Sequence, residues 1–162
     1  NNGDYVIDGG AFYADNTLIF AHDVGENGKV FSFEFMPENT SVWHKNVNLN
    51  PELSKRITLI EKALWSDSKS ELYVGGTGPE SYCSDKLIAG SKLVKTICVD
   101  DFVEKNNIEK IDFIKLDIEG AELPCLKGAQ KTIKKFGNKC RRLLLLNRQA
   151  SRNRNILRTG RI

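Results

Sequence analysis

Three short apolar segments of this chain each end on an acid: residues 4–8 (DYVID), 29–34 (KVFSFE) and 111–117 (IDFIKLD). Apolar segments of this length, bounded by turn residues, read as strands. Gly9-Gly10-Ala11 makes a tight turn after the first. A helix over 15–23 follows, with Asp15 or Asn16 as its N-cap and Leu18, Ile19 and Ala21 among its apolar positions. Pro37 opens a second helix, which carries Val42, Trp43, Asn46 and Val47 at helical spacing, and residues 56–60 (RITLI) form the next strand. A β-α-β-α-β order with short loops predicts parallel strands joined by right-handed crossovers.

Downstream, strands over 70–74 and 93–98 flank a Gly/Ser-rich loop at 75–84, where Thr77, Ser81 and Tyr82 are candidates for ligand recognition. A short helix over 101–106 has Asp100 and Asp101 as its cap. One helix over 122–135 places Pro124 in its first turn, Leu123, Leu126, Ala129 and Ile133 on one face, and Gly137 at its C-cap. Residues 142–146 read as a fifth core strand.

With 162 residues, 40% hydrophobic and 28% charged, the composition is that of one folded globular domain, not a disordered or fibrous chain. No run approaches the roughly 20 apolar residues of a membrane-spanning helix. The N-terminus lacks the basic-then-apolar pattern of a signal peptide, and Asn1 in place of Met reads as a fragment or processed chain. Cys83, Cys98, Cys125 and Cys140 show no CxxC spacing and only two histidines exist, so no metal site is expected. Free thiols in a reducing cytoplasm are the plainer expectation.

Charge divides the chain near Gly137. Residues 139–162 hold eight basic residues and no acid, leaving 16 basic and 21 acidic residues in 1–138. Lysine dominates the body and arginine the tail, and no aromatic residue follows Phe136. Residues 1–138 therefore read as the domain and 139–162 as a basic tail. Such a tail suits a nucleic-acid arm, a solvated end, or a change of reading frame near Gly137. The abrupt lysine-to-arginine switch favours the last, and the absence of aromatics for base stacking argues against the first.

Ligands of open α/β sheets bind beyond the carboxyl ends of the strands, where the strand order reverses. Asp8, Glu34 and Asp117 all lie at that edge. Glu34 stands about 24 residues beyond Gly10, the spacing at which a strand-end acid accepts hydrogen bonds from both hydroxyls of a ribose. A nucleoside-containing cofactor is implied. Neither GxGxxG nor GxxxxGK[ST] is present, so the loop is no pyrophosphate cradle. Its Asp-x-Gly turn suits a cofactor with a positively charged amino-acid end. Lys115 should lie on the same side of its strand as Asp117 and can pair with a carboxylate. His44 is expected at the surface and Trp43 in the core.

The segments VIDGGAFYADNT (6–17), GKVFSFEFMPEN (28–39) and VKTICVDDFVEKNNIEKIDFIKLDIEGAELPCLKGA (94–129) resemble the FkbM-type S-adenosylmethionine-dependent methyltransferases. The DxEGxE core at Asp117, Glu119, Gly120 and Glu122 is the most specific part. The family's first loop typically reads Asp-x-Gly-Ala-Asn-x-Gly; here Phe12 stands for the asparagine and Ala14 for the last glycine. The resemblance implies an α/β, Rossmann-like class I methyltransferase fold, a mostly parallel open sheet with helices on both faces, truncated at the C-terminal strands. It implies S-adenosyl-L-methionine as cofactor, with Asp8, Gly9, Gly10, Ala11, Glu34, Phe35, Ala63 and Asp117 as its binding residues. Asp8 would orient the amino end, directly or through water, and Phe35 would pack on the adenine. Asp117 and Glu119 would serve as catalytic carboxylates in O-methylation of a sugar or natural-product hydroxyl. The expected partner is a small-molecule or glycan acceptor, with neither membrane nor nucleic acid expected and the oligomeric state left open. Alternatives are a non-catalytic methyltransferase-like remnant and a nicotinamide-dependent enzyme with a degenerate glycine loop.

Overall fold

The computed structural model describes residues 1–76, 82–84, 86–118, 120–136 and 142–145. Nine strands and six helices are found among them: β1 (Tyr5–Gly9), α1 (Asp15–Asp23), β2 (Lys29–Phe33), α2 (Pro37–Asn48), α3 (Pro51–Ser54), β3 (Ile57–Ile60), β4 (Ala63–Leu64), β5 (Glu71–Gly75), β6 (Tyr82–Ser84), β7 (Lys92–Ile97), α4 (Val99–Lys105), β8 (Phe113–Leu116), α5 (Glu122–Lys127), α6 (Gln130–Phe136) and β9 (Arg142–Leu145).

The main sheet has the order β3-β2-β1-β8-β9 and every pairing in it is parallel. The chain builds outward from β1 to β3, then returns to the far side of β1. The order therefore reverses between β1 and β8, which is where such sheets open a crevice. Alternate residues face opposite layers. Val6 and Val30 pack against Ala21 and Val24 of the α1 side. Ile7, Phe31 and Phe33 pack against Val99, Phe102 and Val103 of α4 and Cys125 of α5. The sheet is thus covered on both faces, as its near-continuous apolar strands require.

A second sheet, ordered β4-β7-β5-β6, stands beside the first. β5 runs antiparallel to both β6 and β7, and its Leu72 and Val74 join Ala63 in a small core against Phe35, Met36 and Trp65. Strands over 70–74 and 93–98 were expected here. β4 and β6 were not, because two or three residues carry no readable alternation.

Four local expectations are corrected. Neither Asp15 nor Asn16 caps α1: its N-cap is Ala14 in the left-handed region (φ 74°), with no side-chain cap. Ile19 is exposed, and Thr17 and Ala21 are the buried positions of that helix. The single helix expected over 122–135 is two, because the Gly128 carbonyl oxygen accepts from Asp100 N at 2.9 Å, outside the helix, and Ala129 N turns back to Leu126 O at 3.2 Å. Asp100 then restarts the helix, its carboxylate accepting from the backbone N–H of Lys131 (3.0 Å) and Thr132 (2.7 Å). The cap of α4 is Cys98, whose Sγ accepts from Asp101 N. Gly137 lies outside the described residues.

Candidate cofactor site

The turn after β1 is built on close backbone contacts. Gly10 has φ +72°, and a Cβ on it would lie 2.0 Å from the Asp117 carbonyl oxygen, so only glycine fits between the β1 and β8 ends. Gly10 N and Ala11 N both donate to Phe33 O, at 3.0 and 3.1 Å, and Asp117 N donates to Gly9 O at 3.0 Å. The ends of β1, β2 and β8 are therefore stitched together at the reversal point. Ala11 is buried against Trp43 and Val47 of α2.

Glu34 follows β2 at the same edge and is 6% exposed. Its Oε1 accepts from Phe35 N and Met36 N, both at 2.9 Å, and its Oε2 accepts from Phe12 N at 3.0 Å. A carboxylate has about four acceptor positions, so about one is left, on Oε2. Both ribose hydroxyls can bind it directly only after the Phe12 N–H lets go. Phe35 is half-buried beside Ala63 in the small core. Phe12 and Tyr13 are exposed and stack on one another, ring centroids 3.7 Å apart. Asn46 of α2 pins the Tyr13 carbonyl at 2.7 Å.

Asp8 is placed differently from a cofactor ligand. It is 0% exposed, accepts a 2.6 Å hydrogen bond from Thr17 Oγ1 at Oδ2 and has Lys115 Nζ 3.0 Å from Oδ1. Contact with any ligand would require this burial to open. Asp117 is half-buried at the end of β8. The turn after it is held by Glu122, whose Oε1 accepts from Ile118 N at 3.2 Å, and by Gly120 at φ +94°. Glu119, Thr77 and Ser81 lie outside the described residues. His44 is exposed beside Trp43.

Sequence reasoning missed Thr17 and Ser32, whose hydroxyls lie 3.1 Å apart next to Asp8, and the role of Glu122 as a turn brace. The available signal was the polar residue inside each of three otherwise apolar strands. Among the described residues no group of three or more His, Cys, Asp and Glu is placed to hold a metal ion, and none of the helices is long and apolar enough to cross a membrane. Cys98 and Cys125 are buried free thiols. Burial, with the Glu122 charge and Cys98 adding, pushes the Cys125 thiol up to about 12. A cleft of about 440 Å³ opens at the opposite edge of the sheet, lined by Lys29, Lys55, Arg56, Glu26 and Glu52 among others. It lies away from the strand ends just described.

A five-stranded parallel sheet with its reversal at β1, a glycine turn there and an acid after β2 define a Rossmann-like α/β domain. The chain belongs to the FkbM methyltransferase family: the Methyltransferase FkbM domain matches residues 1–145. The crystal structure of Methyltransferase FkbM from Methylobacillus flagellatus KT is similar to it, with a TM-score of 0.59 and 19% identity. That likeness covers 82% of this chain and 30% of the other, so this chain spans about a third of that relative's length. A candidate rRNA-methylase from Clostridium thermocellum aligns over 82% of this chain and 55% of its own at 17% identity, with a TM-score of 0.49. No curated protein matches the chain.

Proposed function

We propose that this domain binds S-adenosyl-L-methionine at the carboxyl edge of β1, β2 and β8 and serves methyl transfer to a hydroxyl of a small-molecule or glycan acceptor. The observation that carries it is the meeting of three features at the reversal point: the Gly9-Gly10 turn, the Glu34 carboxylate facing it, and Asp117 across the β1–β8 junction. The residues fit the group. Glu34 Oε2 offers an acceptor to a ribose hydroxyl; Phe35, half-buried over the buried Ala63, offers apolar surface for the base, and the glycine turn leaves backbone close to the edge. When bound, the cofactor supplies an electrophilic sulfonium methyl. What the chain adds is orientation, exclusion of water and a carboxylate, Asp117, within the same crevice to take the acceptor's proton. Glu119, two residues on, is the second candidate carboxylate. A cytoplasmic site of action accords with two buried free thiols.

The test is a calorimetric titration of the chain with S-adenosylhomocysteine, beside Glu34→Ala. Binding that weakens tenfold or more in the variant supports the assignment. Tight NAD binding without S-adenosylhomocysteine binding would turn it towards the nicotinamide alternative. A folded chain that binds neither would be a non-catalytic remnant.

A further inference from the structure

One register line across the centre of the sheet is polar. Ser32 of β2, Asp8 of β1 and Lys115 of β8 are aligned neighbours in the parallel ladders. All three are buried, Lys115 being 2% exposed, and Thr17 of α1 closes over them. Interior strands of a doubly covered parallel sheet are ordinarily apolar. A buried ion pair gives no stability advantage over apolar residues of similar volume. Stability alone therefore gives no reason for this line, and departures of this kind gather at functional sites.

The directions of the Lys115 bonds show what it holds. Its ammonium carries three N–H donors. It donates to Gly9 O at 3.0 Å and to Gly10 O at 2.7 Å. Asp8 Oδ1, 3.0 Å from the same ammonium, is its counter-ion. Two of the three donors thus go to the glycine turn, and the acid supplies neutralisation. Lys115 stands two residues before Asp117, whose carbonyl oxygen touches Gly10. One side chain of β8 thereby fixes the turn of β1 relative to the acid of β8.

We propose that Lys115 is a positioning residue, clamping the Gly9-Gly10 turn in its binding shape, with Asp8 as its buried counter-ion and not a ligand of the cofactor. The identity of that cofactor rests on the function proposed above; the clamp itself does not. The experiment compares the 162-residue chain with Lys115→Met, Asp8→Asn and the double variant. It reads the thermal midpoint, hydrogen exchange of the Gly10 and Ala11 amides relative to Ile7 in the same molecule, and S-adenosylhomocysteine affinity.

Lys115→Met should lower the midpoint, because it strands a buried carboxylate. The double variant, electrically neutral, should recover at least half of that loss. Its Gly10 and Ala11 amides should still exchange at least tenfold faster relative to Ile7, and its affinity should stay at least tenfold weaker. Asp8→Asn alone should leave relative loop exchange within threefold of native. A double variant with native loop exchange would overturn the clamp. So would tenfold faster loop exchange in Asp8→Asn, which decides the matter if the Met variants do not fold. If the native chain binds no S-adenosylhomocysteine while loop exchange behaves as stated, the cofactor assignment fails and the clamp stands.

Discussion

Phe12 and Ala14 sit at φ +49° and +74°, a region that costs an ordinary L-residue roughly 1–2 kcal/mol. They are the two positions where the FkbM pattern has asparagine and glycine, the residues that enter this region most readily. The departure was legible in the sequence; its cost needed the backbone. Ala14→Gly should therefore stabilise the chain by about 1 kcal/mol, raising the thermal midpoint by about 2–4 °C. A lowered midpoint would contradict it. At Cys125 the folded chain holds the thiol proton up to about 12, against an ordinary 9.0. The stabilisation from burying it is whole below pH 9 and drains away as pH rises from about 9 to 12. Iodoacetamide at pH 8 should modify Cys125 far more slowly in the folded chain than in urea, as peptide mass spectrometry would show; equal rates would refute the burial. Among the site residues, Glu34 was readable from strand-end spacing. The burial of Asp8 was not, since one strand cannot show that its neighbours supply Lys115 and Ser32 at the same register.

Elements were predicted best where the apolar period was long and worst where tertiary contacts cut it. The spacing that joins 122 to 135 into one helix is real. What breaks it is Asp100, remote in sequence: its backbone N–H takes the Gly128 carbonyl and its carboxylate takes the N–H groups of Lys131 and Thr132. Asp100→Ala should cost about 1 kcal/mol by removing the cap of α6, measurable in urea melts. Gly128→Ala should cost about 1–3 kcal/mol, because the Trp65 carbonyl oxygen, 2.4 Å from where its Cβ would lie, cannot retreat from the added methyl. An unchanged midpoint in either variant would show that the chain's stability does not depend on that contact. The second sheet was half legible: β5 alternates in burial over its five residues and β7 runs to six, whereas β4 and β6 are defined by their partners.

For the whole molecule, the repeated strand-then-helix order was enough to give a parallel sheet, whereas the strand order and the place where it reverses needed the structure. β9 pairs in parallel with β8 along Phe113↔Arg142 to Leu116↔Leu145, where a fifth strand was expected over 142–146. A chain ending at residue 138 would leave β8 as a bare apolar edge, which invites edge-to-edge association. It should elute from gel filtration as aggregate; a normal monomeric peak would count against this. The same geometry bears on how the chain is made. β1 finds β2 early, but its other neighbour begins 107 residues later, at Val6↔Phe113. At about 5–20 residues per second, a ribosome takes roughly 5–20 s to cover that interval. Through that delay the central strand has one side open, and the lysine that locks its glycine turn has yet to be synthesised. The nascent chain thus carries an unfinished sheet, open beside its central strand, and it is during those seconds that a chaperone would find most to hold.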